Sequence, residues 1–307
     1  MLSMLGAIAT IFLIMGFGFL ARHFKIVGEG DYRILNNFVY NATLPAMIFI
    51  SLYDAGKTAF SAEAFGAIQT LIAANALAIF AMIAIVLAVS VLIKLPRKLT
   101  AVFLLAAFYG NILYMGLPLN QLSFGDASTP VVIIVVTIYN LIIFSIGLAL
   151  LQIYSDGLDV SEIVRKIATN PLLLSSALGL VFMYGAFQLP SSFLDAVRLL
   201  GQATSPAALF GVGMFMYGKN PFAQLKLNLA ISATKMLFFP LLFVAIARAL
   251  SMTGMIYQVS LVEATLPLAI TNFVLADHYK LDCELVAAAI VLTTILSPLT
   301  VPLLSSL

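Results

Sequence analysis

Residues 2–21 contain no charged side chain, and apolar runs of similar length recur along the whole chain. A helix of about 20 apolar residues is what is needed to cross the roughly 30 Å hydrocarbon core of a bilayer. Such a run has no polar face to present to water, so water-soluble folds are excluded before any motif is considered. Composition agrees. Of the 307 residues, 63% are hydrophobic and only 9% charged, with mean hydropathy +1.12, whereas a soluble domain carries about 25% charged residues. The expected spans are 2–21, 34–52, 65–93, 99–122, 130–154, 168–187, 193–217, 227–250, 256–276 and 285–304. This describes an all-α integral membrane protein of ten transmembrane helices, with short connections and no room for a soluble catalytic domain.

The first run ends at Arg22-His23-Phe24-Lys25, with no basic region before it and no small-residue cleavage site. It therefore reads as a retained helix and not as a signal peptide. Lys and Arg gather in the odd-numbered connections, as Arg22, Lys25 and Arg33, then Lys94, Arg97 and Lys98, Arg165 and Lys166, Lys219 and Lys226, and Lys280. The even-numbered connections hold little beyond Lys57 and Arg248. By the positive-inside rule the odd connections are cytoplasmic, and both termini lie on the other side of a plasma membrane, expected to be a bacterial inner membrane. The longest connection, 155–167, is expected to be a cytoplasmic loop of mixed charge. It divides the chain into two five-helix repeats, 1–154 and 168–307.

The halves echo each other. NATLPAMIF at 41–49 matches QATSPAALF at 202–210, and MGLPL at 115–119 has a weaker counterpart in ATLPL at 264–268. An odd number of spans per half makes the two copies inverted relative to each other. Inverted repeats with proline-broken helices at matching positions, here the fourth and ninth, are a transporter signature.

Proline inside a helix removes a donor and clashes with the preceding turn. In hydrocarbon the freed groups must be satisfied by protein or by a watery cavity. Gly110, Asn111 and Gly116 precede Pro118, while Ser260, Glu263 and Thr265 precede Pro267. Two broken, crossed helices would aim half-helix N-termini and free N–H groups at one point, a seat for an anion. The competing reading is a pair of kinks that only shape the bundle. Asn111 is the first candidate for substrate contact, joined by Gly116, Pro118, Thr265 and Pro267. An interhelical hydrogen bond is the structural alternative for Asn111.

A charge at the position of Glu263 costs at least about 2.5 kcal/mol and calls for a partner, a cation or a proton. Glu263 is thus the candidate for ion or proton coupling, with Lys235 as its countercharge. A static Glu263–Lys235 pair is equally open. Asp195 and Arg198 read as an interfacial pair at i and i+3. Pro45 and Pro206 read as structural helix breaks, whose kinks Thr43 and Thr204 could re-satisfy. Gly16, Gly18, Gly211 and Gly213 read as sites of close helix contact. The glycosylation pattern at 41–43 lies inside a span and is discounted.

Enzymatic motifs are missing. The sequence has no GxxxxGK[ST], no H-E-x-x-H and no G-x-S-x-G, so energy for uphill transport must come from an ion gradient or from the substrate's own. Cys283 is the only cysteine and His23 and His278 the only histidines, so neither a disulfide nor a metal centre is expected. A formal charge of +2, no basic stripe and no Trp leave nucleic acid without a platform.

The runs LNNFVYNATLPAMIFISL, GNILYMGLPL, GQATSPAALFGVGMFM and LVEATLPLAITNFVLADHYKLD resemble the corresponding parts of the auxin efflux carrier family. That family includes bacterial malate and malonate permeases and plant auxin exporters. Its fold is similar to that of the bile acid sodium symporters, with a scaffold domain and a core domain of two crossed, broken helices. The resemblance implies that Asn111 contacts a substrate carboxylate and that Pro118 and Pro267 are the crossover prolines. Glu263 stands where plant members tend to have Gln, which makes a coupling proton or sodium ion more plausible than uniport. The short central connection points to a prokaryotic member. The expected function is alternating-access transport of a small organic anion across the lipid bilayer, a mono- or dicarboxylate such as malate, malonate or an auxin-like acid, with no bound cofactor. A homodimer is what the family suggests. The alternatives are a sodium-coupled symporter of larger amphipathic solutes, which needs a cage of several oxygens, and a receptor that binds without translocating.

Overall fold

The computed structural model describes residues 2–55, 62–155, 157–185 and 187–307; Lys57 lies outside them. The described residues form α-helices with no strand. In order these are α1 (Leu2–His23), α2 (Asp31–Phe38), α3 (Leu44–Ala55), α4 (Ala62–Leu92), α5 (Arg97–Phe108), α6 (Leu117–Phe124), α7 (Thr129–Ile142), α8 (Leu148–Tyr154), α9 (Val160–Ala168), α10 (Pro171–Gly185), α11 (Ser191–Gln202), α12 (Thr204–Met216), α13 (Leu225–Ala233), α14 (Phe239–Ala249), α15 (Gly254–Thr265), α16 (Ile270–His278) and α17 (Cys283–Leu304). Wider π-type turns at Val39–Thr43, Ile143–Gly147 and Thr234–Phe238 join α2 to α3, α7 to α8 and α13 to α14, and a fourth, Ile112–Gly116, leads into α6.

Among the described residues, six helices are long and apolar enough to cross a membrane. They are Met4–His23, Gly66–Leu92, Asp126–Tyr154, Ser191–Met216, Leu225–Ala249 and Cys283–Leu304. A seventh is reached if Val160–Ala168 and Pro171–Met183, bent by 49°, count as one. The sequence regions 99–122 and 256–276 are absent from this set because each is interrupted. α5 and α15 have 12 residues each, about 18 Å of helix at 1.5 Å per residue.

The connection at 155–167 is not the loop expected from its charge. Asp159 caps α9 by accepting from the Glu162 N–H at 3.1 Å, and Ile163 and Ile167 pack on the core. Asn170 then caps the next helix, its Oδ1 accepting from Leu172 and Leu173 N–H at 2.9 and 3.2 Å. Pro171 follows in the first turn, where its missing donor costs nothing. Glu162 pairs with Lys166 one turn on in α9 (2.7 Å) and ties the helix to its surroundings through His278 (3.0 Å) and Gln152 (2.6 Å).

The repeated sequence gives repeated local structure. Pro45 is the second residue of α3 and Pro206 the third of α12, each just after an interruption. The two threonines differ, however. Thr43 donates to Val39 O at 3.4 Å, whereas the buried Thr204 hydroxyl has no partner and so re-satisfies no carbonyl. Arg198 also departs from expectation: its main partner is Asp54, at 2.9 and 3.1 Å, with Asp195 at 3.5 Å.

The most extensive helix contacts are α1 with α12 and α3 with α10. Close approach in the first is set by two glycines. A Cβ on Gly18 would lie 2.0 Å from Phe210 O, and one on Gly213 would lie 1.8 Å from Met15 O. Each helix presses a glycine onto the other's backbone carbonyl. Gly16 has open space around it, and a Cβ on Gly211 would lie 3.1 Å from Asn36 Oδ1.

Two outcomes follow. Gly18→Val and Gly213→Val should each destabilise the purified protein by about 3 kcal/mol or more, because backbone and not a flexible side chain must yield, while Gly16→Ala should leave thermal unfolding unchanged. For α9, the Lys166 ammonium, followed by the His278 ring, holds the Glu162 carboxyl below the usual carboxylate range. The stability it supplies is therefore present above that range and is lost as the pH falls through the lowered value. Because these groups are partly exposed the effect is small, about two- to fivefold in α9 amide exchange. Glu162→Gln at neutral pH should reproduce the exchange of acidified wild type once intrinsic rates are corrected.

Candidate functional site

α5 stops at Phe108. The chain then runs through Tyr109 (φ −82°, ψ 92°) and Gly110 to Asn111 (φ −77°, ψ 50°) before rewinding at Ile112. α15 stops at Thr265, and Leu266 (φ −64°, ψ 149°) to Ala269 (φ −77°, ψ 148°) are extended up to α16. These two linkers cross antiparallel. Gly110 pairs with Leu268, Asn111 N–H donates to Pro267 O at 2.7 Å, and Ala269 N–H reaches Tyr109 O at 3.5 Å. Side chains complete the satisfaction: Leu268 N–H donates to Thr293 Oγ1 of α17 at 3.2 Å, and Asn272 Nδ2 donates to Tyr109 O at 3.0 Å. A Cβ at Gly110 would sit 3.2 Å from Leu266 O, so glycine lets the linkers touch.

The first break therefore falls at 109–111 and not at Pro118. Pro118 stands in the first turn of α6. The wider turn ahead of it runs from Asn111 O, which accepts from Met115 and Gly116 N–H at 3.0 Å each, and accommodates the ring. Pro267 does lie in the second break.

A small pocket sits where the two new half-helices start. Its wall comprises Tyr40, residues 109–114 and Ala269, Ile270 and Thr271. It thus gathers the N-terminal ends beginning at Ile112 and Ile270, whose free N–H groups carry partial positive charge. Asn111 is 4% exposed, and its carboxamide makes no hydrogen bond among the described residues. The pocket is tight, about 10 Å³, room for one water. It adjoins a vestibule of about 380 Å³ that shares Tyr40, Tyr114, Ile270 and Thr271 and is closed in by Asn36, Asn41 and Leu275.

The other sequence-selected residues lie behind this wall. Glu263 is fully buried against Gly116, where a Cβ would meet its carboxylate oxygens at 2.3 and 2.5 Å. Gly116 thus makes room for a carboxyl group and does not face the pocket. Asn120 Nδ2 donates to Glu263 Oε1 at 2.7 Å, leaving Oε2, Asn120 Oδ1 and the Tyr139 hydroxyl buried without partners. Thr265 spends its hydroxyl on Val262 O at 2.7 Å. Lys235 does not contact the Glu263 carboxylate; its Nζ donates to Ala264 O at 2.6 Å and lies 5.0 Å over the Phe239 ring. Among the described residues, no three His, Cys, Asp or Glu side chains stand close enough to hold a metal ion.

Several contributors escaped selection. Asn120, Asn272 and Thr293 support the crossing, Asn140 accepts from Tyr109 Oη at 2.7 Å, and Asn75 donates to Ser260 Oγ at 2.9 Å. The signal for each asparagine was the one used for Asn111, an amide inside an apolar run that needs a partner. Thr293 provides a clean test of the crossing. Thr293→Val should leave Leu268 N–H orphaned and lower stability by about 1–3 kcal/mol, and Thr293→Ser, which keeps the hydroxyl, should lose less in the same thermal unfolding measurement.

Sequence comparison places the chain among membrane transporters. The chain is 26% identical to a transporter of Methanothermobacter thermautotrophicus, over 97% of its own length and 96% of the relative's. It is 28% identical to a Rhizobium meliloti protein named as a candidate malonate transporter, over 64% of this chain and 63% of that one. It is also 28% identical to auxin efflux carrier component 2 of Oryza sativa subsp. japonica, over 45% of this chain and 23% of the plant protein. The profile described as "Membrane transport protein" matches residues 3–305, and with nearly the whole chain covered, the protein belongs to that family of membrane transporters, the auxin efflux carrier family.

Proposed function

We propose that this protein is a secondary carrier of small organic anions, of the mono- or dicarboxylate class, built from two inverted five-helix repeats and working by alternating access. The observation that carries this reading is the convergence of two half-helix N-termini and the unpartnered Asn111 carboxamide on one pocket. Backbone N–H groups at helix starts favour an anion, and an amide donor adds direction. Malonate appears in the name of one relative and auxin in that of another, and both are carboxylates. The reciprocal contacts of α1 with α12 and α3 with α10, each joining one half to the other, support the inverted repeat.

In this reading the carboxylate enters the vestibule and is held at the crossing by Asn111 and the N–H groups at the two helix starts. The vestibule lies between the crossing and the end of α16 that leads to Lys280. With the Lys- and Arg-rich connections in the cytoplasm, this conformation is inward-facing. Glu263, with an unpartnered oxygen one turn behind the crossing, is the proton- or ion-coupling group. A cage for a hard cation such as sodium needs several oxygens. Glu263 Oε2 and Asn120 Oδ1 are two buried acceptors near it that lack a donor, which favours a proton.

The test is uptake of labelled malate, malonate and indole acetate into proteoliposomes with imposed proton or sodium gradients. Asn111→Ala should lower uptake of the accepted carboxylate by about tenfold or more, the scale of a hydrogen bond to a charged group. Glu263→Gln, which keeps an acceptor for Asn120, should fold normally and lose its response to the proton gradient. Transport of neutral or steroid-like solutes with no carboxylate uptake would overturn the reading.

A further inference from the structure

A recess of about 700 Å³ opens on the flank of the bundle and shares no lining residue with the pocket at the crossing or with its vestibule. One wall is α4 and the turn after it, through Met82, Val89 and Ile93; the other is α13 and α14, through Leu227, Phe238 and Leu241. Ser90 and Thr234 are the only polar side chains in its lining, and the Thr234 hydroxyl is spent on Ala230 O at 2.8 Å. A polar solute therefore finds almost nothing to bind. Val89, Ile93, Phe238 and Leu241 are exposed, so in a bilayer the recess opens to hydrocarbon. From Met82 to Ile93 is about 16 Å of helix, which matches the hydrocarbon depth of one leaflet, about 15 Å.

One end of the recess is charged. Lys94 stands between the lining residues Ile93 and Leu95, and Lys226 directly precedes the lining residue Leu227. Both lysines are exposed, and among the described residues neither forms an ion pair or a side-chain hydrogen bond. The neighbouring cations are engaged elsewhere: Arg97 donates to Ile153 O, and Lys98 Nζ donates to Lys280 O at 3.4 Å. An apolar slot of one leaflet's depth, with two free ammonium groups at its surface end, complements an acyl chain that carries an anionic phosphate head. Basic positions between membrane helices hold such head groups, at about 1 kcal/mol per lysine near the surface.

We propose that this recess is a site for one anionic phospholipid, with an acyl chain lying between α4 and α14 and the phosphate at Lys94 and Lys226. The site does not depend on which solute the protein carries. It joins a helix of the first half to helices of the second. Because α4 packs on α5 and α15, and α14 packs on α15, the lipid braces from outside the helices that lead into the crossing.

The sequence contains no Trp, so a single introduced tryptophan reports on its own surroundings. Phe238→Trp puts the probe in the recess, and Phe17→Trp puts it at an exposed position of α1 as a control. Each purified full-length protein is reconstituted into mixed vesicles of phosphatidylglycerol and phosphatidylcholine, in which one lipid or the other carries brominated, fluorescence-quenching acyl chains. Quenching of the Phe238→Trp protein should report an affinity for phosphatidylglycerol at least about tenfold above that for phosphatidylcholine, the scale of two lysines at an anionic head. The preference should weaken in high salt and vanish when Lys94→Ala and Lys226→Ala are added, whereas Phe17→Trp should show none. Equal quenching of the Phe238→Trp protein by the two lipids would overturn the proposal, as would a preference that survives loss of both lysines. Quenching by neither lipid would overturn it too, since the recess would then be covered by protein, such as a second copy of this chain. Should the lysine variant fail to fold, salt decides: a preference unchanged by high salt refutes the phosphate contact.

Discussion

Everything at the centre of this molecule depends on one requirement: a peptide group within hydrocarbon must find a partner in protein. Interrupting a helix at mid-depth strands donors and acceptors, and one interruption alone has nothing to satisfy them. Two interruptions crossing antiparallel satisfy each other, as the Gly110–Leu268 pairing and the Asn111-to-Pro267 bond show. Thr293 and Asn272 complete what the backbone leaves over. The break in one half is therefore a structural condition for the break in the other.

The crossing also sorts charge. The starts at Ile112 and Ile270 line the pocket and bring partial positive charge to it, while Lys235 meets the last turn of α15 at Ala264 O. The fully buried ammonium and carboxyl of Lys235 and Glu263 are not joined in a contact pair. Lys235 is engaged with backbone and Glu263 with Asn120, which leaves one carboxylate oxygen available for chemistry.

Much of this was legible in the sequence, and the rest was hidden for identifiable reasons. The long uncharged runs announce a membrane protein, and the family is visible in four motifs. Asn111 stands out because an amide in an apolar run needs a reason. Pro118 misled because proline marks a missing donor, yet the first turn of a helix is where that loss is cheapest; the nearby break has no proline and relies on Gly110. The partner of Lys235 could not be read, since nothing local distinguishes a reach to a carboxylate from a reach to a carbonyl on the adjacent residue. The helix at Val160–Ala168 was readable: Asp159 with Glu162 three residues on, then Ile163, Val164 and Ile167 on one face, is a capped amphipathic pattern. Its charges drew attention away from its periodicity.

The reciprocal glycine contacts of α1 and α12 bear on how such a molecule moves. With each backbone seated directly on the other's carbonyl, at Gly18 against Phe210 and at Gly213 against Met15, no side chain intervenes at these two points to shear. Side chains can exchange rotamers as they slide, whereas riveted backbones travel together or come apart. The α1–α12 pair is therefore one mechanical body. Displacement is left to surfaces where side chains and empty volume intervene, such as the vestibule walls that face each other across Tyr40 and Ile270.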